Sequence, residues 1–354
     1  MKYSVKTKWL KKNNVYSKIT SSKNKAGAYM RILTHNITNP YFNLAAEEYF
    51  LTQSQEELVL LWRNDRSVIV GKNQNTLEEI NRAFVEAHKI PVVRRLTGGG
   101  AVFHDLGNLN YTLIQTSKPG MFGDYGSFTR PICSFLQNLG VPAQLNGRND
   151  LVIQGKKFSG NAQTVKNGKI MHHGTILFQS DLWDVSQALK PNELKLQSKG
   201  IVSVHSHVTN ISEHLSSKMT IEKFIEQLYN YLQDAMEATP IQLSQEDVEQ
   251  IQRLAQEKYE TWEWNYGMSP EYHLQKAQRF PCGTVEIRLN VNQGVICQAV
   301  IYGDFFGVKP KEELEQGLVG VRHERKALEQ VLREIPISDY IAGMDAQELI
   351  QMLL

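Results

Sequence analysis

Short apolar, β-branched runs recur along the first two-thirds of the chain, at 58–62, 67–70, 90–94, 110–115, 151–153 and 174–178. Helical stretches and turns separate them, which predicts a set of short strands. A first strand is expected over Arg31 to His35. Helical spacing fills the gaps. Asn39-Pro40 opens a helix toward Ser54, with proline tolerated in its first turn. Thr76 and Glu79 have the spacing of a capping box for a helix through about His88, and Pro131 to Leu136 has the apolar spacing of a buried helix. Strands interleaved with helices in this way predict an α+β domain, a mixed sheet with helices packed on it.

After residue 220 the period becomes helical to about Glu237, and a Gln/Glu-rich helix is expected from about Ser244 to Tyr259. A domain boundary is expected between Pro240 and Thr261, with 246–261 as a linker helix. An aromatic segment, Trp262-Glu263-Trp264-Asn265-Tyr266, then opens a second unit over 262–354. In it, runs at 284–290 and 295–302 read as a hairpin turning at Asn292-Gln293-Gly294, followed by helices to Leu353.

The densest chemistry lies in Arg94-Arg95-Leu96-Thr97-Gly98-Gly99-Gly100-Ala101-Val102-Phe103-His104-Asp105. Three glycines without Cβ atoms let a bound group lie against backbone N–H groups, and a strand ending in two arginines delivers guanidinium groups to that loop. An anionic ligand follows. Phe103 stands where a dinucleotide fingerprint needs its last glycine, and the chain contains no Gly-Lys-Ser or Gly-Lys-Thr of a P-loop. A second constellation comprises Gly147-Arg148-Asn149-Asp150-Leu151, Lys157-Phe158-Ser159-Gly160-Asn161-Ala162 and His172-His173-Gly174-Thr175. Two strands flanking a lysine-bearing hairpin would turn Lys157, Asn149, Asp150 and His173 toward one cleft.

With Asn43-Leu44-Ala45-Ala46-Glu47-Glu48, Leu61-Trp62-Arg63-Asn64 and Lys199-Gly200-Ile201-Val202-Ser203-Val204, these motifs stand in the order found in one family. Over residues 31 to 340 the chain resembles the lipoate–protein ligase A family, in its large form with a C-terminal accessory domain. The resemblance implies a biotin/lipoate-ligase-like catalytic domain with a large mixed sheet over 30–245, plus a small α/β accessory domain. It implies ATP-dependent ligation of lipoate to a lysine of a carrier domain through lipoyl-AMP, with Mg²⁺ as the companion of ATP. The carriers implied are lipoyl domains of 2-oxoacid dehydrogenase E2 subunits and the glycine-cleavage H protein.

The residue roles are carried over from the same resemblance. Lys157 is the expected catalytic residue, a cation clamping acyl carbonyl and phosphate. Arg94 and Arg95 are expected to bind the ligand's anionic centre, and Gly98, Gly99, Gly100 and Ala101 to cradle the acyl-adenylate. Asn149 and Asp150 are placed near the nucleotide, Asp150 as the magnesium candidate, because a hard cation prefers carboxylate oxygen. Ser159, Gly160 and Ala162 complete the substrate-binding set, His173 lines the acyl pocket, and Trp62 walls an apolar slot. His104 and His172 are taken as structural.

Composition narrows the alternatives. The 354 residues, 41% hydrophobic and 21% charged, are ordinary for a globular enzyme with a sizeable core, and no apolar run is long enough to cross a bilayer. Residues 1–30 hold eight lysines and no Asp, Glu or Arg, so a chain of net charge +2 is about −6 beyond them, which argues against nucleic acid as the partner. The segment 1–29 reads as a basic, flexible extension, with initiation at Met30 as an alternative. Cys133, Cys282 and Cys297 show no metal-ligand spacing, and an odd number leaves one unpaired, which suits a reducing cytoplasm. None of them falls among the site motifs, so an octanoyl or lipoyl amidotransferase acting through a cysteine thioester fits less well. A lipoyltransferase that takes preformed lipoyl-AMP stays open, as does a lipoate-binding module without catalysis.

Overall fold

The computed structural model describes residues 30–354 except 55, 148, 190–206, 270, 271, 304, 306 and 308. The basic extension, Arg148 and the motif Lys199–Val204 lie outside the described residues.

Strands β1 (Met30–Thr34), β2 (Glu57–Trp62), β6 (Asn108–Thr116), β7 (Ala143–Asn146), β8 (Asp150–Ile153), β9 (Lys156–Lys166), β10 (Lys169–Leu177) and β11 (Thr239–Pro240) form one sheet in the order β11-β1-β2-β6-β10-β9-β8-β7. β1 runs parallel to both β2 and β11, and the remaining pairs are antiparallel. A small second sheet, order β4-β3-β5, is made of β3 (Ser67–Val70), β4 (Val92–Arg94) and β5 (Val102–His104). The mixed sheet expected from the strand-like runs is therefore present.

Strand β2 shows how the two faces of the large sheet are assigned. Val59 and Leu61 pack with helix α4 (Tyr125–Asn138) and the helix Ile221–Ala235 on one face. Leu58, Leu60 and Trp62 pack with α1 (Pro40–Thr52) on the other, together with Ile69 and Val93 of the small sheet. The period of two along an antiparallel sheet produces this division.

The N-terminal expectations for α1 hold: Asn39 caps it, its side chain accepting from the N–H groups of Tyr41 and Phe42, with Pro40 in the first turn. The capping box at Thr76 and Glu79 is a correction. Asn75 is the cap of a single-turn helix, α2 (Thr76–Glu79), and a separate helix, α3 (Arg82–Ala87), starts from Asn81. The Thr76 hydroxyl is engaged elsewhere, donating to the Asn265 carbonyl at 2.6 Å.

The helix Gln245–Leu254 continues into a π turn, Ala255–Tyr259, and both pack on α1, in the apolar cluster that holds Ile251, Ala255 and Tyr259. A second π turn, Glu263–Gly267, leads to the C-terminal unit. There an antiparallel sheet of β12 (Tyr272–Phe280), β13 (Gly283–Asn292) and β14 (Val295–Gly303) packs with helices Lys311–Leu318, Arg325–Arg333, Ile337–Tyr340 and Ala346–Leu353 around its own core. β12 escaped the periodicity because its Gln, Lys and Arg positions present no run of apolar residues. Leu77 of α2 belongs to this second core, so α2 is part of the seam between the two units.

Candidate active site

A cavity of about 810 Å³ opens between the α1 face of the large sheet and the loop joining β4 to β5. Four cross-strand neighbours form a row along its floor: Trp62 on β2 pairs with Asn110 on β6, Asn110 with Thr175 on β10, and the Gly160 N–H of β9 donates to the Thr175 hydroxyl at 3.2 Å. The parallel row includes Leu60, Thr112, His173 and Ala162.

Lys157 reaches this floor because β9 is irregular. Leu151 pairs with Ser159 but Val152 pairs with Lys157, leaving Phe158 as an extra residue. Strict alternation from Gly160 would point Phe158 at the cavity. Instead Phe158 is buried in the core of the opposite face, and Lys157 comes to the cavity side, as a bulge beside a functional site does. Its backbone is gripped as well: Lys157 N–H donates to His207 O at 2.7 Å and Thr209 N–H to Lys157 O at 2.9 Å. The Nζ sits 2.7 Å from Asp150 Oδ1, with both side chains partly exposed. A Cβ at Gly160 would stand 3.0 Å from that Nζ, so the absence of a side chain there gives the lysine its path.

The glycine loop is held from behind. Arg95 lines the cavity but donates to the carbonyls of Ile69, Gly98 and Gly100 and to the Thr97 hydroxyl, at 2.6 to 3.2 Å. The expected role of direct contact with the anionic centre is corrected to that extent: the guanidinium is engaged in shaping the loop. Its charge stays beside the cavity, since burial lowers its pKa only to about 10. Gly99 takes φ +96°, and a Cβ at Gly71 would lie 2.1 Å from Gly99 O, so the loop rests directly on the end of β3.

Arg94 is a larger correction. Consecutive residues of β4 point to opposite sides, and Arg94 points away from the cavity into the seam, fully buried. Its guanidinium donates to the carbonyls of Gly71, Lys72, Gln74, Trp264 and Asn265 and to the hydroxyls of Thr76 and Ser269. Asn265 Oδ1 in turn accepts from Arg94 N–H, and Trp264 Nε1 donates to Arg94 O. Ser159 is also corrected: it is buried and its Oγ accepts from Asn161 Nδ2, on the face away from the cavity.

The remaining expected residues meet at the cavity: Trp62, Gly98, Gly99, Gly100, Ala101, Asn149, Asp150, Lys157, Gly160, Ala162 and His173 all line it. Asn149 braces β9, its Nδ2 donating to Asn161 O at 2.7 Å.

A buried chain of hydrogen bonds links slot to loop. Trp62 Nε1 donates to Thr112 Oγ1 at 2.9 Å, and that hydroxyl donates to Glu47 Oε1 at 2.6 Å. Glu47 also accepts from His173 Nδ1 at 2.9 Å, and His173 Nε2 lies 2.7 Å from Thr97 Oγ1. Thr97 Oγ1 also accepts from Arg95 Nε at 2.9 Å, so the hydroxyl ties the imidazole to the arginine that shapes the loop. Sequence reading missed Glu47, Thr97, Thr112, Asn110 and Asn161 as site residues. The available signal was polar residues inside apolar runs: Asn108 and Asn110 in β6, and two glutamates in the otherwise apolar face of α1.

His104 is buried with its Nδ1 3.1 Å from Asn64 Nδ2, and its ring borders the cavity next to Trp62, with ring centroids 6.1 Å apart. His172 is structural, stacked on Phe128 and bonded to Gln163 Nε2. Burial holds both imidazoles neutral, with pKa values near 3, and for His104 the neighbouring Arg95 and His173 add to the effect.

Known proteins resemble the chain over most of its length. The family model described as the lipoyl protein ligase A/B catalytic domain matches residues 39–233, and the bacterial lipoate protein ligase C-terminus matches 269–353. The chain is 43% identical over 324 residues to lipoate–protein ligase 1 of Staphylococcus aureus, covering 91% of this chain and 99% of that one. It is 42% identical over 323 residues to the lipoate–protein ligase LplJ of Bacillus subtilis, covering 90% and 98%. Among solved structures, the bipartite lipoate protein ligase of Thermoplasma acidophilum superposes with a TM-score of 0.60 at 26% identity, over 69% of this chain and 98% of that one. With a glycine loop, a bulge-presented lysine and an aromatic-walled slot in one cavity, and relatives matched over nearly their whole length, the chain belongs to the lipoate–protein ligase family.

Proposed function

We propose that the protein ligates lipoate to a lysine of a carrier domain at the expense of ATP, in two steps in one cavity. In the first, a lipoate carboxylate oxygen attacks the α-phosphorus of ATP, the bond to the β-phosphate oxygen breaks, and pyrophosphate leaves. In the second, the carrier amine attacks the acyl carbonyl, AMP leaves, and the amine loses a proton. Negative charge grows at phosphate and carbonyl oxygens in both steps, which fixed cations and backbone donors stabilise better than water does. The observation that carries the reading is the placement of the Lys157 ammonium beside Gly160, at one end of the Trp62–Asn110–Thr175–Gly160 row, with the glycine loop alongside.

In this reading Gly98–Ala101 cradle the adenylate, Asn149 and Asp150 meet the nucleotide, and Trp62 and His173 bound the acyl chain. Arg95 acts through the loop it shapes, and Arg94 and Ser159 support the fold. Among the described residues no three metal-ligating side chains converge. That fits Mg²⁺ arriving on the triphosphate with Asp150 as its single protein ligand, since Mg²⁺ keeps several waters and needs only one or two carboxylates. The metal would supply charge neutralisation on the leaving phosphates.

We place the accessory domain at 262–354, with 246–261 joining it to the catalytic domain, and assign it to the adenylation step. The proposed carriers are E2 lipoyl domains and the glycine-cleavage H protein; the Thermoplasma ligase was studied together with its E2 lipoyl domain. No helix among the described residues is long and apolar enough to cross a membrane, and the three cysteines are free, which suits the cytoplasm.

The test mixes protein, lipoate, MgATP and an apo lipoyl domain, and follows pyrophosphate and the mass of the domain. Pyrophosphate together with a lipoyl mass increase is the expected result. Modification only from synthetic lipoyl-AMP would make the protein a transferase, and no modification from either donor would remove the reading.

A further inference from the structure

A second cavity, of about 390 Å³, shares no lining residue with the catalytic one. It lies where β4, the outer strand of the small sheet, faces the segment 260–266. Tyr41 packs with the apolar cluster on one face of that sheet and Tyr266 with the cluster on the other, and both line the cavity, which therefore straddles the edge of the strand. Trp262 lines it as well, its ring within 16° of parallel to that of Tyr266 with centroids 6.4 Å apart. That ring is held in place by the Arg322 guanidinium, 4.5 Å from its centroid, and by Gly294, where a Cβ would stand 2.6 Å from it.

The strand edge in this cavity is open at one residue. Val68 N–H donates to Pro91 O and Arg95 N–H to Val70 O, so alternation along β4 turns Val93 toward β3 and the N–H and C=O of Val92 and Arg94 outward. At Arg94 the outward pair is met by side chains, Asn265 Oδ1 and Trp264 Nε1. At Val92, which lines the cavity, no described residue meets it. Such a pair is satisfied only by water or by a ligand. An added peptide strand does not fit, because the Arg94 end is occupied, Pro91 has no N–H, and the Ile90 N–H is bound to Val85 O at 2.9 Å. What remains is one donor and one acceptor on a single residue, among aromatic rings, in a volume at the lower end of the about 300–1,000 Å³ of small-molecule sites.

We propose that this seam cavity binds a planar heterocycle with a ring N–H beside a carbonyl or ring nitrogen, as in a nucleobase, the N–H donating to Val92 O, the acceptor taking the Val92 N–H, and the ring stacking on Trp262 or Tyr266. The inference goes beyond the ligase reading and does not depend on it. Recognition by one residue's backbone needs an acceptor and a donor on neighbouring atoms of the ligand, which a cyclic amide or amidine supplies and an alkyl or plain aryl group does not. The aromatic walls add contact area to a flat ring. Glu260 and Lys89, both exposed, stand at the rim with opposite charges, which suits a neutral ligand.

The experiment labels the tryptophan indoles of the full-length protein with ¹⁵N and follows their N–H resonances during titration with uracil, N1-methyluracil and N1,N3-dimethyluracil. Trp262→Phe identifies the seam signal and Trp62→Phe that of the catalytic cavity. Uracil should move the Trp262 resonance saturably, with a dissociation constant on the order of 1 mM for so small a ligand. N1-methyluracil keeps the N–H between its two carbonyls and should bind within about threefold of uracil. N1,N3-dimethyluracil has no N–H and should bind roughly tenfold more weakly, the worth of about one hydrogen bond. Equal binding of all three overturns recognition by the Val92 backbone, and movement at Trp62 alone, or at neither tryptophan, overturns the site. None of these results bears on the ligation assay, so the two readings fail separately.

Discussion

Replacing Arg94 with methionine separates the two roles that its motif and its structure assign. The substitution keeps an unbranched apolar stem and removes the guanidinium, which touches seven oxygens drawn from the β3–α2 connection and the 264–269 segment. Four of these bonds, to Gly71 O, Asn265 O and the hydroxyls of Thr76 and Ser269, are fully buried, and stranding even two such neutral acceptors at about 1–3 kcal/mol each puts the loss at about 3–5 kcal/mol. At about 2–4 °C per kcal/mol for a domain of this size, the melting temperature should fall by on the order of 10 °C. Because Arg94 faces away from the cavity, lipoate affinity measured well below the melt should stay within about threefold of wild type. Differential scanning fluorimetry and calorimetric titration give the two quantities, and proteolysis should move to the stretch between Tyr259 and Met268 as the seam loosens. Near-normal melting with lost ligand affinity would show Arg94 to be a ligand contact and refute the structural assignment.

Lys157→Ala should lower pyrophosphate release by roughly 10²- to 10³-fold with little change in melting, the scale seen when one charge-stabilising group is removed; unchanged release would exclude Lys157 from the reaction. Gly71→Ala should slow adenylation at least tenfold, because its Cβ would lie 2.1 Å from Gly99 O and that loop must shift; a wild-type rate would mean that the loop's rest position is immaterial. Cys133→Ala should leave ligation unaffected, since burial raises the thiol pKa to about 11 and the cavity lining does not include it; lost activity in a folded variant would reopen a thioester route. Acid should destabilise the protein through His104 and His172. Their folded pKa values near 3 lie below the ordinary 6.5, so the unfolded chain binds the extra protons and each site loses up to about 1.4 kcal/mol per pH unit as pH falls from 6.5 toward 3. The melting temperature should fall between pH 7 and 5, and His172→Gln should flatten that slope; an unchanged slope would remove His172 from the effect.

The elements most legible in the sequence are those in which side-chain period and burial coincide. Leu58–Trp62 alternates between two cores, and Asn39-Pro40 carries its own cap chemistry, so both were readable. Thr76 and Glu79 had the right spacing for a capping box, but Asn75 is the better cap and the Thr76 hydroxyl is taken by Asn265, a partner 189 residues away. Strand β12 lies on the surface of the accessory sheet with polar residues along it, and it left no apolar signature. In the site, the residue types that hold charge or bare backbone were visible as motifs. Which of them face the cavity was not, because that depends on a parity break: the extra residue Phe158 sends Lys157 and Ser159 to opposite sides.

The pair Arg94-Arg95 shows why a motif can be right about a site and wrong about one of its members. Two adjacent arginines look like a doubled anion clamp, yet a strand must send neighbours to opposite faces. Arg95 therefore shapes the glycine loop and Arg94 fastens the accessory segment, and the backbone between them belongs to β4. With Arg94 as the last residue of β4 and Arg95 next to it, two buried guanidinium groups on adjacent residues leave the end of the strand little room to shift one without the other. Loosening at 264–269 is thus felt, through Arg94 O and N–H, at the residue whose carbonyl partners set the shape of Gly98–Gly100. A seam mutation such as Asn265→Ala should accordingly slow adenylation several-fold while leaving lipoate affinity nearly unchanged, because the loop and not the acyl slot receives the disturbance. Equal loss of both would mean that the seam holds the whole cavity together, and loss of neither would mean that β4 does not transmit.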